Sequence, residues 1–252
     1  RNVKNEGVWY SSNRGAKIAT GEYIYFCAAD DRVCPGFFEK SVKILNQNPQ
    51  AGLCSALLKI IGKDGNDEMW AKTPVISSTE CFLSPDQIRR TLLKHGFWFT
   101  GHTAIFRREY VVKDNDTDVW DPNLYQFADH IVTMIAATKH GACFIPEILA
   151  AWRSYDGSSG YADTHFLSEE AKTISALDKV VQIMSSKEYT SLFPSDFVKQ
   201  YEFKIIYSVQ GMRLKKMHNE MIDYMKTIRS LQKSESLLDK FVYSIIKMLD
   251  MF

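Results

Sequence analysis

The chain has 252 residues, and its 31 basic and 30 acidic side chains leave a formal net charge of +1. Hydrophobic residues make up 45% and charged residues 24%, which are globular values that exclude disordered, collagen-like and disulfide-scaffold proteins. The near-neutral charge also argues against a dedicated nucleic-acid-binding protein, which usually carries a basic stripe.

Residues 1–153 predict helices that alternate with strands. Gly21 is a suitable end for a helix over 12–20, and the aromatic, apolar run at 23–28 is typical of a buried strand. The remaining elements are expected in this order: helix 36–46, strand 51–61, helix 85–95, strand 97–106, a helix that opens at Asp121-Pro122 and stops at Gly141, and strand 142–152. The alternation indicates an α/β fold with a substantial sheet.

The second part of the chain has a different pattern. Residues 163–252 predict almost continuous helix, and the Ser- and Gly-rich segment 154–160 predicts a loop before it. We therefore expect an α/β domain over residues 1–160 and a helical region over 161–252. The amphipathic stretch 237–249 has two alternative roles, which are packing within the chain or a homodimer and lying on a membrane surface.

The five cysteines show no two-residue zinc-knuckle spacing. We expect free, mostly buried thiols in a reducing compartment, which places the protein in the cytoplasm. No uncharged apolar run approaches the length of a membrane span. If the protein meets a membrane, we expect it to do so peripherally, at the inner face.

Two adjacent carboxylates, Asp30 and Asp31, directly follow the first predicted strand. Ligands of open α/β sheets bind beyond the carboxyl ends of the strands, and paired carboxylates there suit Mg²⁺ or Mn²⁺. The alternative is that the two residues shape a turn and cap the next helix. The residues themselves leave both interpretations open.

The order of short motifs along residues 5–160 resembles that of family 2 glycosyltransferases with the GT-A fold. The stretch from Gly21-Glu22-Tyr23-Ile24 to Asp30-Asp31 resembles the strand that runs into that family's Asp-Ala-Asp-Asp motif. Further pieces follow in the family's order: Asn5-Glu6-Gly7, Asn13-Arg14-Gly15, Phe106-Arg107-Arg108-Glu109, Trp120-Asp121-Pro122, Ala128-Asp129, and the strand ending in Trp152-Arg153.

The resemblance implies an inverting, metal-dependent transfer of a sugar from a nucleotide-diphosphate sugar, a UDP-sugar first, to a hydroxyl of a saccharide or lipid-linked acceptor. It implies an enzyme of the hexosyltransferase type that builds surface polysaccharide or glycolipid. Asp30 and Asp31 would hold Mn²⁺ or Mg²⁺, and Asn13 would contact the donor. Asp129 would be the general base.

The expected fold is a GT-A-like mixed sheet flanked by helices, with a helical appendage. It would lack the first nucleotide-binding β-α-β unit, so we expect an N-terminally truncated fragment with impaired activity. Three residues depart from the family pattern: Ala28, Ser12 and Ala128 stand where an Asp, an Arg and a Glu are usual. A catalytically inactive domain that binds or scaffolds is therefore the alternative function.

Two further side chains lie near the site that the resemblance implies. Arg153 ends the last predicted strand and has two readings, a charge-assisted contact with the diphosphate or a structural role. His102 interrupts a predicted strand within Gly101-His102-Thr103, close to where an acceptor would lie. Either a substrate contact or a structural role fits this position.

Overall fold

The computed structural model describes residues 2–65, 68–70, 73–95, 99, 101–112, 118–153, 170–204, 206–207, 218, 221–223 and 226. The chain divides into a unit that ends at Tyr201 and a second unit, Glu202–Phe252. The predicted boundary at residue 160 falls within 154–169, outside the described residues, so it stays a prediction. No helix in the described ranges is both long and apolar enough to cross a membrane.

A mixed sheet forms the centre of the first unit. Its described strands are β1 (Tyr23–Tyr25), β2 (Arg32–Val33), β3 (Leu53–Ile61), β4 (Glu68–Trp70), β5 (Cys81–Leu83), β6 (Ile105–Arg107) and β7 (Ala142–Arg153). The main order is β1-β6-β3-β7-β2, while β4 pairs with β3 and β5 with β7. The β3–β7 pair is parallel and the other pairs are antiparallel. This arrangement confirms the expected α/β class and the mixed sheet.

The helices of the described residues are α1 (Val8–Ile18), α2 (Phe37–Gln47), α3 (Pro85–His95), α4 (Arg108–Val111), α5 (Ala128–His140) and α6 (Glu170–Ser185). A further helical stretch covers residues 195–204. The last two confirm helix beyond residue 163, although turns at 186–193 interrupt it. Helix α3 has the predicted bounds, because its stripe of apolar residues and its Pro at the first position are local signals.

The two long central strands are buried because helices and neighbouring strands cover both faces. Cys54 and Ala56 of β3 belong to the core formed with α2, which also contains Phe37, Ile44 and Leu45. Leu53, Ser55 and Leu57 of β3 are also buried and, having the opposite parity, point to the other face. Near the start of β3, a Cβ on Gly52 would come 2.7 Å from the Ala136 carbonyl oxygen of α5, so only glycine fits there.

The first strand is shorter than the predicted 23–28. Its partner β6 covers only Ile105–Arg107, and Tyr25 pairs with Ile105 at the end of the ladder. The residues before Ile105 form a 3₁₀ turn, Gly101–Thr103, so that Phe26 and its successors have no strand to pair with. The predicted strand 97–106 is therefore wrong for the turn residues, while 96–98 and 100 lie outside the described residues. Because β1 ends early, the chain can bend before it reaches Asp30.

The helix predicted from Asp121-Pro122 also starts later than expected. Residues Pro122–Phe127 form a 3₁₀ helix, and α5 begins at Ala128. Gly141 ends α5 with φ 80°, which confirms the predicted stop. Asp129 is consequently in the first turn of α5 rather than in the middle of a longer helix.

The cysteines are divided between the core and the surface. Cys54 and Cys143 are fully buried, Cys34 and Cys81 are partly buried, and Cys27 is exposed. Burial raises the pKa of the Cys143 thiol to about 12. The expectation that the thiols are mostly buried is thus correct for the two core residues only.

Candidate active site

A cavity of about 200 Å³ lies where the end of β1, the 101–103 turn and the first turn of α5 meet. Helix α1 and the segment before Asp121 complete its walls. The lining residues are Val8, Trp9, Ser12, Phe26, Cys27, Ala28, Asp31, Gly101, His102, Phe106, Trp120, Asp129 and Thr133. The fold therefore brings Asp31 and Asp129 to one cavity, although 98 positions separate them in the sequence.

The two adjacent carboxylates of the motif have different surroundings. The Asp31 side chain is only 5% exposed, and its Oδ2 lies 3.2 Å from His102 Nε2. Its Oδ1 accepts a 3.0 Å hydrogen bond from the Arg153 backbone N–H. Burial raises the pKa of Asp31, against the opposing effect of that hydrogen bond. Asp30, in contrast, is an exposed residue.

Arg153 uses its guanidinium to hold two loops. Nε donates to the Asp30 carbonyl oxygen at 2.9 Å, and one terminal nitrogen donates to the carbonyls of Gly62 and Lys63 at 3.1 and 2.6 Å. The structural reading of Arg153 thus has direct support. A contact with a diphosphate is not tested and stays a prediction.

Asn13 is buried, and its side-chain amide clamps the backbone before Asp121. Nδ2 donates to the Trp120 carbonyl oxygen at 2.7 Å, while Oδ1 accepts from the backbone N–H groups of Val119 and Trp120, both at 2.9 Å. The structure places Asn13 behind the cavity wall, next to Trp120. Its predicted contact with a donor is not tested.

Asp129 lies at the N-terminal end of α5, where the helix dipole favours a negative charge. Its Oδ1 accepts a 2.8 Å hydrogen bond from the His130 backbone N–H. A Cβ built on Gly101 would be 3.5 Å from Asp129 Oδ2, so the turn passes close to this carboxylate. One carboxylate oxygen of Asp129 is therefore fixed by its own helix, and the other lies beside the 101–103 turn.

The oxygen ligands at the strand end fit a Mg²⁺ or Mn²⁺ ion that is shared with phosphates. Such ions keep several waters and need only one or two protein carboxylates. Asp30 is exposed, whereas both oxygens of Asp31 already have partners. Among the residues that the structure describes, no group of three or more His, Cys, Asp and Glu side chains could hold a metal by itself. The metal remains a prediction, with Asp30 as the better placed ligand.

His102 lines the cavity and contacts Asp31, a contact for which the sequence holds no local signal. Burial lowers the pKa of His102, and the nearby charges of Asp31 and Asp129 oppose this effect. The ring centroid lies 5.6 Å from that of Trp152. The expected place of His102 near an acceptor is not tested, and its contact with Asp31 became visible only in the fold.

Sequence reasoning missed an aromatic wall of the cavity and a buried phenol. The rings of Trp9 and Trp120 are stacked at 6.4 Å, and Phe26 meets Trp120 edge-on at 4.0 Å. Tyr201 has a buried hydroxyl without a hydrogen-bond partner in the described part of the chain. Burial raises the pKa of Tyr201, and the nearby Asp129 charge adds to the increase.

Comparison with known proteins gives similarity over part of the chain. Residues 1–114 match the model of the family described as glycosyl transferase family 2. The match covers just under half of the chain, so similarity to this family is shown for that segment. The matched segment includes Asp30, Asp31 and His102, whereas Asp129 lies beyond it.

One relative that the chain resembles is the uncharacterized glycosyltransferase YibD of Escherichia coli K12, 29% identical over 116 residues. That match covers 44% of the chain and 32% of YibD, so the chain spans about a third of this relative. Crystal structures of S. aureus TarS overlap with TM-scores of 0.44 at 16% identity. They cover 86% of this chain and 72% of TarS 1–349, or 81% of this chain and 42% of the longer TarS chain.

Proposed function

We propose that the protein transfers a sugar from a nucleotide-diphosphate sugar to a hydroxyl acceptor, with inversion and with Mn²⁺ or Mg²⁺. The observation that carries the proposal is the shared cavity of Asp31 and Asp129 beyond a strand end, in a chain whose residues 1–114 match the family 2 glycosyltransferase model. A transferase needs a donor side and an acceptor base within reach of the same reacting carbon. Asp31 and Asp129 line one cavity, and Asp30 adjoins Asp31 in the sequence, which supports this arrangement.

On the donor side, Asp30 is the residue we expect to hold the metal. Its exposure leaves its carboxylate available, and Arg153 fixes the backbone at this position through the Asp30 carbonyl oxygen. A bound divalent ion would neutralise the charge that develops on the leaving nucleotide diphosphate. Asp31 would then orient the strand end through its bonds to Arg153 and His102.

On the acceptor side, we assign the general base to Asp129. It would take the proton of the acceptor hydroxyl as that oxygen attacks the sugar carbon and the bond to the diphosphate breaks. Its Oδ1 is held by the His130 backbone N–H, and its Oδ2 lies beside the 101–103 turn that lines the cavity. The aromatic wall formed by Trp9 and Trp120 offers apolar faces on which a sugar ring can pack.

The broader setting is a proposal with less support. We expect a UDP-sugar, a saccharide or lipid-linked acceptor, and a role in surface polysaccharide or glycolipid synthesis in the cytoplasm. The membrane surface and the homodimer depend on the amphipathic segment 237–249, which lies outside the described residues. They stay predictions from the sequence.

A second candidate function is a nucleotide-sugar-binding or scaffold domain without catalysis. The observation that favours it is Ala28, which lines the cavity at the place where the family pattern has a carboxylate. Ala128 adds a second missing acid directly before Asp129. The two candidates predict different results with the same variants.

The decisive experiment measures nucleotide release and sugar transfer with a panel of donors, using the full-length protein. Asp129→Asn should lower kcat by about 10²–10⁴-fold and leave UDP binding in Mn²⁺ nearly unchanged. Asp30→Asn should remove the Mn²⁺-dependent part of that binding. Asp86→Asn is a matched control, because Asp86 occupies the same position in α3 that Asp129 occupies in α5.

The outcomes separate the candidates. Absence of transfer by the wild type with every donor, together with retained UDP binding, would favour the binding domain. Near-normal turnover of Asp129→Asn would show that another group accepts the proton. Unchanged Mn²⁺-dependent binding in Asp30→Asn would remove the metal assignment.

A further inference from the structure

His102 stands between the donor-side carboxylates and Asp129. Its Nε2 is 3.2 Å from Asp31 Oδ2, and its side chain lines the cavity that Asp129 also lines. The preceding residue, Gly101, passes close to the Asp129 carboxylate, with its Cβ position 3.5 Å from Oδ2. One short turn therefore contacts the Asp31 carboxylate and passes close to that of Asp129.

The turn that carries His102 is held on several sides. The Tyr25 hydroxyl of β1 donates to the His102 carbonyl oxygen at 2.8 Å. Thr103 is buried, and its hydroxyl donates to the Ala56 carbonyl oxygen of β3 at 3.1 Å. The imidazole ring also packs beside Trp152 of β7. Contacts from three strands thus hold the turn and its imidazole ring in place, as a positioning role requires.

The hydrogen-bonding pattern identifies the tautomer that this geometry needs. Asp31 Oδ1 already accepts from Arg153, and the Oδ2 contact requires a proton on His102 Nε2. Nδ1 is buried and has no hydrogen-bond partner within the described ranges. The neutral Nε2–H form therefore satisfies Asp31 and leaves Nδ1 without a proton.

We propose that His102 is a positioning residue, whose Nε2–H fixes Asp31 and the adjoining Asp30 while its ring shapes the cavity that Asp129 faces. The inference rests on the proposed transfer function, and it adds a residue that links the donor side at Asp31 with the acceptor side at Asp129. Without His102, Asp31 keeps the Arg153 bond alone, and the loop that carries Asp30 loses one of its attachments. Donor affinity and turnover should both suffer.

The test compares His102→Leu, His102→Gln and the wild type in the full-length protein. His102→Leu should weaken UDP binding in Mn²⁺ by about tenfold or more, the effect of one hydrogen bond to a charged group. It should also raise the donor KM and lower kcat. His102→Gln places an amide N–H near the position of Nε2 and should recover binding to within about threefold of the wild type. His95→Gln, an exposed histidine of α3, should change neither value.

Calorimetry with UDP and MnCl₂ needs no turnover, so it separates this inference from the transfer function. If the wild type binds UDP without transferring sugar and His102→Leu loses binding, the function fails and the positioning role stands. If the wild type transfers sugar and His102→Leu matches it in KM and kcat, the positioning role is overturned. Failure of His102→Gln to improve on His102→Leu at equal melting temperature would also overturn it.

The hydrogen bond itself can be read without any ligand. Ring ¹⁵N signals of labelled protein should show His102 protonated at Nε2, with a shift of that signal in Asp31→Asn. A His102 ring protonated at Nδ1 instead, in folded wild-type protein, would contradict the contact. This measurement decides the point even when no nucleotide binds.

Discussion

Replacement of Asn13 by Ala should destabilise the first unit more than a typical polar substitution. Asn13 is 4% exposed, and its amide makes three hydrogen bonds of 2.7–2.9 Å with the backbone of Val119 and Trp120. A net contribution of about 1 kcal/mol for each bond gives a loss of about 3 kcal/mol in the free energy of unfolding. For a unit of this size, that loss corresponds to a melting temperature lower by about 6–12 °C.

Urea unfolding followed by circular dichroism measures this loss, and tryptophan fluorescence reports on Trp120 beside the substitution. Ser11→Ala is the matched control, since Ser11 lies in the same helix and its hydroxyl bonds to Gly7 and Asn2 are exposed. The control should change the free energy of unfolding by less than about 0.5 kcal/mol. A loss below about 1 kcal/mol in Asn13→Ala, or a loss equal to that of the control, would refute the clamp.

Two further predictions concern buried groups. Tyr201→Phe removes a hydroxyl that lacks a partner among the described residues, so the free energy of unfolding should stay the same or rise by about 1 kcal/mol. A loss of that size in urea would show that the hydroxyl is bonded. Burial and the Lys139 charge lower the pKa of His140 below its ordinary value of 6.5. As the pH drops, the histidine of the unfolded chain is therefore protonated before that of the folded chain, and the free energy of unfolding falls below about pH 6.5. His140→Phe, which keeps the stack on Tyr110, should reduce the decrease in urea midpoint between about pH 7 and about pH 5; an undiminished decrease would contradict this.

Elements with strong local patterns were predicted well. Helix α3 has the predicted bounds, and α2, β3 and β7 begin and end within two residues of their predictions. The errors occur where pairing decides the outcome. Strand β1 ends early because its antiparallel partner β6 begins only at Ile105, opposite Tyr25. No local pattern around Tyr23 indicates where this partner begins.

For the site, the motif Asp30-Asp31 and the position of Asp129 were available from the sequence through the family resemblance. The sequence did not distinguish the two neighbouring carboxylates. Tertiary structure buries the Asp31 carboxylate against His102 and the Arg153 backbone and leaves Asp30 exposed. His102 and Arg153 lie 71 and 122 positions after Asp31, and of the two carboxylates they contact only that of Asp31. It likewise turned Asn13 toward the backbone of Trp120.

Sequence by itself therefore determined the composition class, the main helices and central strands, and the carboxylates that a transferase would use. These features follow from periodicity and from residue types at short spacing. Tertiary structure alone decided which carboxylate is exposed, which histidine contacts Asp31, and which aromatic rings form the cavity wall. Such contacts depend on where distant segments meet, and a linear pattern carries no measure of that distance.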